Sequence, residues 1–493
     1  MRRPRPCYLA FDLGAGSGRA MLGSLSESGL ELKEVHRFHY APVEKGGHLR
    51  WPFTRILDGV RAGLVAAQGA SPGPIESLGV CSWAVDYGLL DEAGRLVEDP
   101  VAYRDHRTDD AMERVLGIVP RSEVFERTGI QFLQFNTLFQ LHAHVREGLP
   151  SRARRLLMIP DLVHHALAGS TTGEYTNAST TQLVDVRTRA WADELFARLG
   201  LPRELMPEIA APGTRLGVID AGLQRELGTG PIRVTAPATH DTASAVAGTP
   251  LLPGWAYISS GTWSLVGTER ETPLVDERVA RANFTNEGGA ASTIRFLKNV
   301  MGLWILESCR REWAGAGADV ALEELLRAAG AIARSPGVVF PDHARFFNPA
   351  SMTAELVAAL AETGQEVAGE PAVLTRVILD SLALRYATVV EAIESLTGER
   401  VPGVHVVGGG SRNHYLSQAT ADAARRPVLA GPVEATATGN LLLQAIAASE
   451  LRSLAEARRL VSAPLRYEPR EGTGLEAVRA RYREIEARAL ASG

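Results

Sequence analysis

Several familiar signatures are missing from this sequence of 493 residues, and each absence closes off a class of function. No uninterrupted apolar stretch approaches the ~20 residues of a membrane span, so no membrane partner is expected. No Lys/Arg-rich run stands out and the net charge is -5. That argues against a nucleic-acid partner while permitting one small anionic ligand held locally. The three cysteines, Cys7, Cys81 and Cys309, lie far apart at no zinc or redox spacing, so each is expected to be a small buried hydrophobe. The basic start "MRRPRPC" runs into "YLAFDLG", not an apolar signal core, and does not read as an export signal. A soluble cytoplasmic protein is expected. No low-complexity block interrupts a composition that is 45% hydrophobic and 22% charged, and a chain this long needs two or three cores.

What the chain does have is "YLAFDLGAGSGRAMLG", from Tyr8 to Gly23. It is no Walker loop, because Gly18 is followed by Arg19 and Ala20 rather than Lys-Ser/Thr. It is no dinucleotide fingerprint, because the spacing of Gly14, Gly16 and Gly18 is Gly-x-Gly-x-Gly and the next residues read as a strand. Ala15 stands where a nucleophile elbow around Ser17 needs glycine. There remains a strand, a glycine-rich turn and a returning strand, edged by Asp12 and Arg19. After the hinge-like "PLLPG" (Pro250 to Gly254), "WAYISSGTWSLVG" echoes it, with Tyr257 and Gly267 in the places of Tyr8 and Gly23. Each half, 1–247 and 248–493, is therefore expected to open with the same hairpin, as two related domains.

The remainder reads as α/β. "SLGVCSWAVDYGLLDEAGRLVEDP" gives two strands about the turn Asp91 to Gly94, and "RTDDAMERVLG" a helical stretch. "PIRVTAPATHDTASAVAG" gives a strand, a turn and a small-residue helix. Ile378, Leu382, Tyr386, Val389, Ile393 and Leu396 recur at helical spacing, with Gly398 as the stop. "GVHVV" is a strand, "GGGSRN" a turn and "HYLSQATADAA" a helix, followed by the strand "RPVLAG" and the helix "VEATATGNLLLQAIAA". Three glycines between a strand and a helix start suit an anion or nucleotide.

Asp241 ends a buried strand and begins a helix, where a plain N-cap is the first reading. Its neighbours His240 and Thr242, and the hinge that follows, also suit a general base acting on a sugar hydroxyl. Thr262 and the loop from Gly16 to Arg19 offer amides, hydroxyls and a guanidinium of the kind phosphoryl transfer uses. Asp12 suits either a hydrated Mg²⁺ or a turn. Trp83 is a sugar-site wall or core, "YRDHRT" (Tyr103 to Thr108) a surface cluster or a site wall, and His142, His144, His164 and His165 are structural. Together these features describe a two-domain clamp on a nucleotide.

The chain resembles the FGGY carbohydrate kinases of the actin/hexokinase/Hsp70 superfamily over nearly its whole length. The resemblance is carried by "DLGAGSGR", "WAVDYGLLD", "YRDHRT", "TGIQFLQFNTLFQL", "EYTNASTTQL", "HDTASAVA", "YISSGTWSL", "NEGGA", "LKNVMGLW", "VVGGGSRN" and "AGPVEATATGN". It implies an α/β fold of two ribonuclease-H-like (actin/hexokinase-type) domains with a nucleotide cleft between them. It also implies ATP with Mg²⁺ and a small-molecule sugar, in a monomer or small homo-oligomer. By matching motif, Ala15, Gly16, Ser17, Gly18, Arg19, Thr262, Glu307 and Gly409 fall on ATP-binding positions. Ala84, His240, Asp241, Thr242 and Asn299 fall on sugar-binding positions, with Asp241 the general base. The narrower motifs imply phosphorylation of the 1-hydroxyl of L-rhamnulose, with L-fuculose, L-xylulose or a non-catalytic sensor as alternatives. Ala84 replaces a glycine of the pattern, and Glu307 a glutamine.

Overall fold

The computed structural model describes residues 6–26 and 29–491, so the basic residues 1–5 lie outside it. The chain divides into two compact units. The first runs to Pro250 and takes in Glu269–Phe296 and Ala435–Ser462; the second comprises Leu251–Thr268, Leu297–Glu434 and the residues after Ser462.

The largest sheet of the first unit comprises β1 (Cys7–Leu13), β2 (Ser17–Ser26), β3 (Gly29–His39), β4 (Ile75–Ser82), β5 (Thr214–Val218) and β6 (Arg233–Ala236). They lie in the order β5-β6-β4-β1-β2-β3. Every residue of β1 is buried. A central strand covered on both faces is apolar along most of its length, which is why "CYLAF" shows no alternation, and its one charged residue, Asp12, is paired with Arg19. Helix α1 (Phe53–Ala70) packs against β2 and β3, and α2 (Asp241–Ala247) follows β6.

The second unit is built on β7 (Ala256–Ser260), most of β8 (Trp263–Arg270) and of β9 (Ile294–Met301), β10 (Val404–Val407), β11 (Val428–Ala430) and β12 (Leu465–Tyr467). Their order is β9-β8-β7-β10-β11-β12. Each unit thus holds an antiparallel hairpin, two successive parallel strands and an antiparallel edge strand. The echo in the sequence is a matter of register, since Tyr8 lies opposite Gly23 and Tyr257 opposite Gly267. The long apolar spacing forms α3 (Pro371–Thr397), which Gly398 ends in the left-handed region at φ 72°. Helix α4 (His414–Ala424) follows the glycine turn. All three cysteines are buried and free.

Helix α5 (Ala435–Ala447) belongs to the first unit and sets the position of α2. Gln444 donates to the Leu9 carbonyl at 3.0 Å and Asn440 to that of Gly79 at 3.1 Å, tying α5 to β1 and β4. The small residues of α2 then allow near backbone contact. A Cβ on Gly439 would fall 1.8 Å from the Ser244 carbonyl oxygen, and one on Gly248 2.2 Å from that of Ala435. Gly439→Ala must force the two helices apart. We expect a loss of about 1–3 kcal/mol or more, read as a lower melting temperature by calorimetry. An unchanged melting temperature would show that this contact does not hold α2.

Candidate functional site

The carboxyl ends of β1, β4 and β6 form a shelf in the first unit, where open α/β sheets characteristically bind ligands. Beyond β6 the chain stays beside β4, since Ser82 donates its N–H to the Thr239 carbonyl at 2.9 Å and Ser82 bridges His240. Buried Glu174 fixes this turn. One of its oxygens accepts from Thr239 N and Oγ1 at 2.8 and 2.7 Å and from Thr176 Oγ1 at 2.5 Å; the other accepts from Thr176 N at 2.8 Å. Thr176 Oγ1 in turn accepts from His240 N at 3.2 Å.

Asp241 is the first residue of α2, and the N-cap position is taken by His240, whose side chain makes no capping bond. The plain cap reading of Asp241 is therefore corrected by one residue. Its carboxylate accepts from Thr242 Oγ1 at 3.2 Å and keeps 32% of its surface open. Desolvation, and then the negative charge of Asp12, push its pKa up to about 7, against the pull of Thr242 and Arg295. A partly accessible carboxyl titrating near neutrality is matched to proton abstraction. His240 Nε2 lies 3.4 Å from Asp241 Oδ1, and Nδ1 lies 2.9 Å from Arg295 Nη2. Desolvation and the Arg295 charge hold the imidazole pKa well below its usual value.

On the same shelf, Arg19 Nη2 pairs with Asp12 Oδ2 at 2.5 Å, across the β1–β2 register. The loop between them is braced by Tyr40, whose hydroxyl donates to the Gly14 carbonyl at 2.7 Å. Gly16 is exposed, Ala15, Ser17 and Arg19 are half-buried, and Gly18 is buried. A Cβ on Gly18 would meet the Phe38 ring at 2.3 Å, so any larger residue must displace that ring.

Ala84 is half-exposed beside a buried hub. Asp86 accepts from Trp51 Nε1 at 2.7 Å, Trp83 Nε1 at 2.9 Å, Gln140 Nε2 at 3.0 Å and Tyr103 N at 3.2 Å. Burial raises its pKa to about 6, with those donors opposing. Between Ala84 and Asp86, Val85 adopts φ 69°, a left-handed conformation rare for a β-branched residue. Thr137 Oγ1 braces it by donating to the Val85 carbonyl at 2.8 Å. Trp83 is core, packed on Trp51 with ring centroids 4.6 Å apart. Within "YRDHRT", Asp105 is structural, accepting from Leu49 N at 2.6 Å and Arg107 N at 2.9 Å. His164 accepts from Val80 N at 3.1 Å in the core.

In the second unit Thr262 sits exposed at the β7–β8 tip, its carbonyl accepting from Trp304 N at 3.1 Å. That contact places the hairpin beside the helix Trp304–Gly315, whose first turn carries exposed Glu307. Glu307 pairs with Arg310 at 2.9 Å, and a negative charge suits a helix N-terminus. Asn299 lies half-buried on β9. Gly408 has φ 81° and a Cβ on Gly410 would fall 2.0 Å from Ser260 Oγ, so the fold requires both. Gly409 is exposed, with open space where its Cβ would be.

Glu174 and Thr176 lie in "EYTNASTTQL" and Glu287 in "NEGGA", motifs that gave these residues no individual role, and Arg295 lies outside the quoted motifs. Arg295 had a signal, a lone arginine inside the apolar strand "TIRFL". Among the described residues, no helix is long and apolar enough to cross a membrane, and no three or more His, Cys, Asp or Glu residues group to cage a metal.

At 16% identity, the gluconate kinase of Lactobacillus acidophilus has a TM-score of 0.82, with 99% of each chain covered. The glycerol kinase of Plasmodium falciparum with ADP, 14% identical, has a TM-score of 0.76 over 99% of this chain and 98% of that one. The fold is therefore the expected two-domain α/β sugar-kinase fold. Rhamnulokinases of Bacteroides thetaiotaomicron, Pectobacterium carotovorum and Bacillus subtilis are 42%, 44% and 37% identical. These alignments cover 92%, 94% and 92% of this chain and 93% of each relative. The models for the N-terminal and C-terminal domains of the FGGY family of carbohydrate kinases match residues 7–248 and 256–448. With both domains matched across most of its length, the chain belongs to the FGGY family of carbohydrate kinases.

Proposed function

We propose that this protein is an ATP-dependent kinase that phosphorylates the 1-hydroxyl of L-rhamnulose, giving L-rhamnulose 1-phosphate and ADP. The names of the 37–44% identical relatives support that sugar. The observation that carries the chemistry is Asp241, at a strand end, partly open and poised near neutral pH. It takes the hydroxyl proton while the sugar oxygen bonds to the γ-phosphorus and the bond to the leaving ADP oxygen breaks. Ala84, His240, Thr242 and Asn299 hold the sugar; Ala15 to Arg19, Thr262, Glu307 and Gly409 hold ATP.

Mg²⁺ bound to ATP would supply neutralisation of the phosphate charge. Mg²⁺ characteristically keeps several waters and binds through phosphates plus one or two carboxylates. Asp12 is the carboxylate that would hold it. A cytoplasmic location, where ATP is supplied, completes the reading.

An ADP-release assay with Mg-ATP and L-rhamnulose, L-fuculose or L-xylulose tests the substrate. L-Rhamnulose should give the highest kcat/KM. A different preference reassigns the sugar, and no turnover with any ketose removes the kinase reading.

Asp241→Asn should lower kcat by ~10²–10⁴-fold while both ligands still bind by calorimetry. The charged form costs stability as pH rises through about 7, so at pH 8 the variant should melt at or above the wild-type temperature. In the wild type, kcat/KM should fall below about pH 7 as the base protonates. A folded, fully active variant would eliminate Asp241 as the base.

Gly409→Ala should fold normally, because its Cβ meets no neighbour, yet bind ATP more weakly. Glu307→Gln should leave ATP affinity equal or better, its exposed charge being already balanced by Arg310. Unaltered ATP binding by Gly409→Ala would put the nucleotide elsewhere. A large loss in Glu307→Gln would mean that the carboxylate itself engages the ligand.

A further inference from the structure

His240 stands among three charged groups and presents a different ring nitrogen to each side. Nδ1 lies 2.9 Å from Arg295 Nη2 and 3.5 Å from Glu287 Oε2, and Nε2 lies 3.4 Å from Asp241 Oδ1. A neutral imidazole has one N–H and one lone pair, and its neighbours decide which nitrogen carries the proton. A guanidinium can only donate. At 2.9 Å, Arg295 therefore claims the Nδ1 lone pair and leaves the proton on Nε2, facing Asp241. Without that donor, Glu287 would draw the proton to Nδ1, and the Nε2 lone pair would face the Asp241 carboxylate.

Arg295 cannot easily turn away. Its side chain is fully buried, Nε donates to the Gly288 carbonyl at 2.8 Å, and Nη2 pairs with Glu287 at 3.0 Å. Gly288 is itself anchored, its N–H donating to Ser179 Oγ at 2.8 Å. Full protonation of His240 is opposed by burial and by the adjacent cation, so the neutral tautomers are the states in competition.

We propose that Arg295 is a positioning residue for phosphoryl transfer: it locks His240 in the Nε2–H tautomer, and that N–H orients the Asp241 carboxylate toward the sugar hydroxyl. The catalytic half of this inference rests on Asp241 as the base; the tautomer does not.

The test is long-range ¹H–¹⁵N correlation on protein labelled with ¹⁵N-histidine, the His240 signal being assigned by its loss in His240→Gln. In the unliganded wild type at pH 8, Nε2 should carry the proton and Nδ1 should have the shift of an unprotonated nitrogen. A proton on Nδ1 overturns the proposal without any variant of Arg295. Arg295→Met should move the proton to Nδ1 and lower kcat on the order of 10–100-fold, with KM for sugar and ATP changed only a few-fold. Arg295→Lys, which retains a cationic donor, should restore the wild-type tautomer and most of the kcat. A general packing defect would not be rescued in this way or follow the tautomer. A folded Arg295→Met with the proton on Nδ1 and undiminished kcat would overturn the positioning role. Wild type with the expected tautomer but no ketose turnover would instead defeat the kinase reading, leaving the tautomer result intact.

Discussion

A carboxylate taken out of water is costly unless donors surround it, and buried Glu174 meets that demand with the amides and hydroxyls of Thr176 and Thr239. Much of the shelf depends on this arrangement. Satisfying Glu174 fixes the turn after β6, and the same Thr176 hydroxyl receives the His240 amide. Asp241 then emerges at the end of the strand with its carboxylate partly open. Were the turn held only by weak loop contacts, the 3.4 Å separation of His240 and Asp241 would have no fixed frame.

The electrostatics separate acids that composition cannot tell apart. Asp12 lies against the guanidinium of Arg19, whereas desolvation, and then the repulsion of Asp12, take Asp241 to about 7. Asp86 is a useful contrast. Its pKa is also raised, to about 6, but it is completely buried and occupied by indole, amide and backbone donors. A raised pKa alone therefore does not identify a base; Asp241 differs in having a face that a substrate can reach.

The glycine-rich loops divide in the same way. Gly18 is bare because the Phe38 ring lies over it, and Gly410 because Ser260 does. Gly16 and Gly409 are exposed, with nothing within 4 Å of an added Cβ. Packing explains the first pair and leaves the second available to a ligand.

By itself the sequence determined the features that are local or periodic. The two hairpins were legible because a strand, a tight glycine turn and a return strand involve only near neighbours, down to the Tyr8–Gly23 and Tyr257–Gly267 pairing. The α3 helix was legible from its period and its Gly398 stop, and Asp241 from its place between strand and helix. Tertiary structure alone decided what depends on distant segments. It assigned α5 to the first unit, brought Glu174 to Thr239 across 65 residues, and set Arg295 against His240 across 55. It also decided that Trp83 is core and that Asp241 titrates near neutrality. Desolvation and long-range charge are properties of the packed chain, and no local pattern of residue types encodes them.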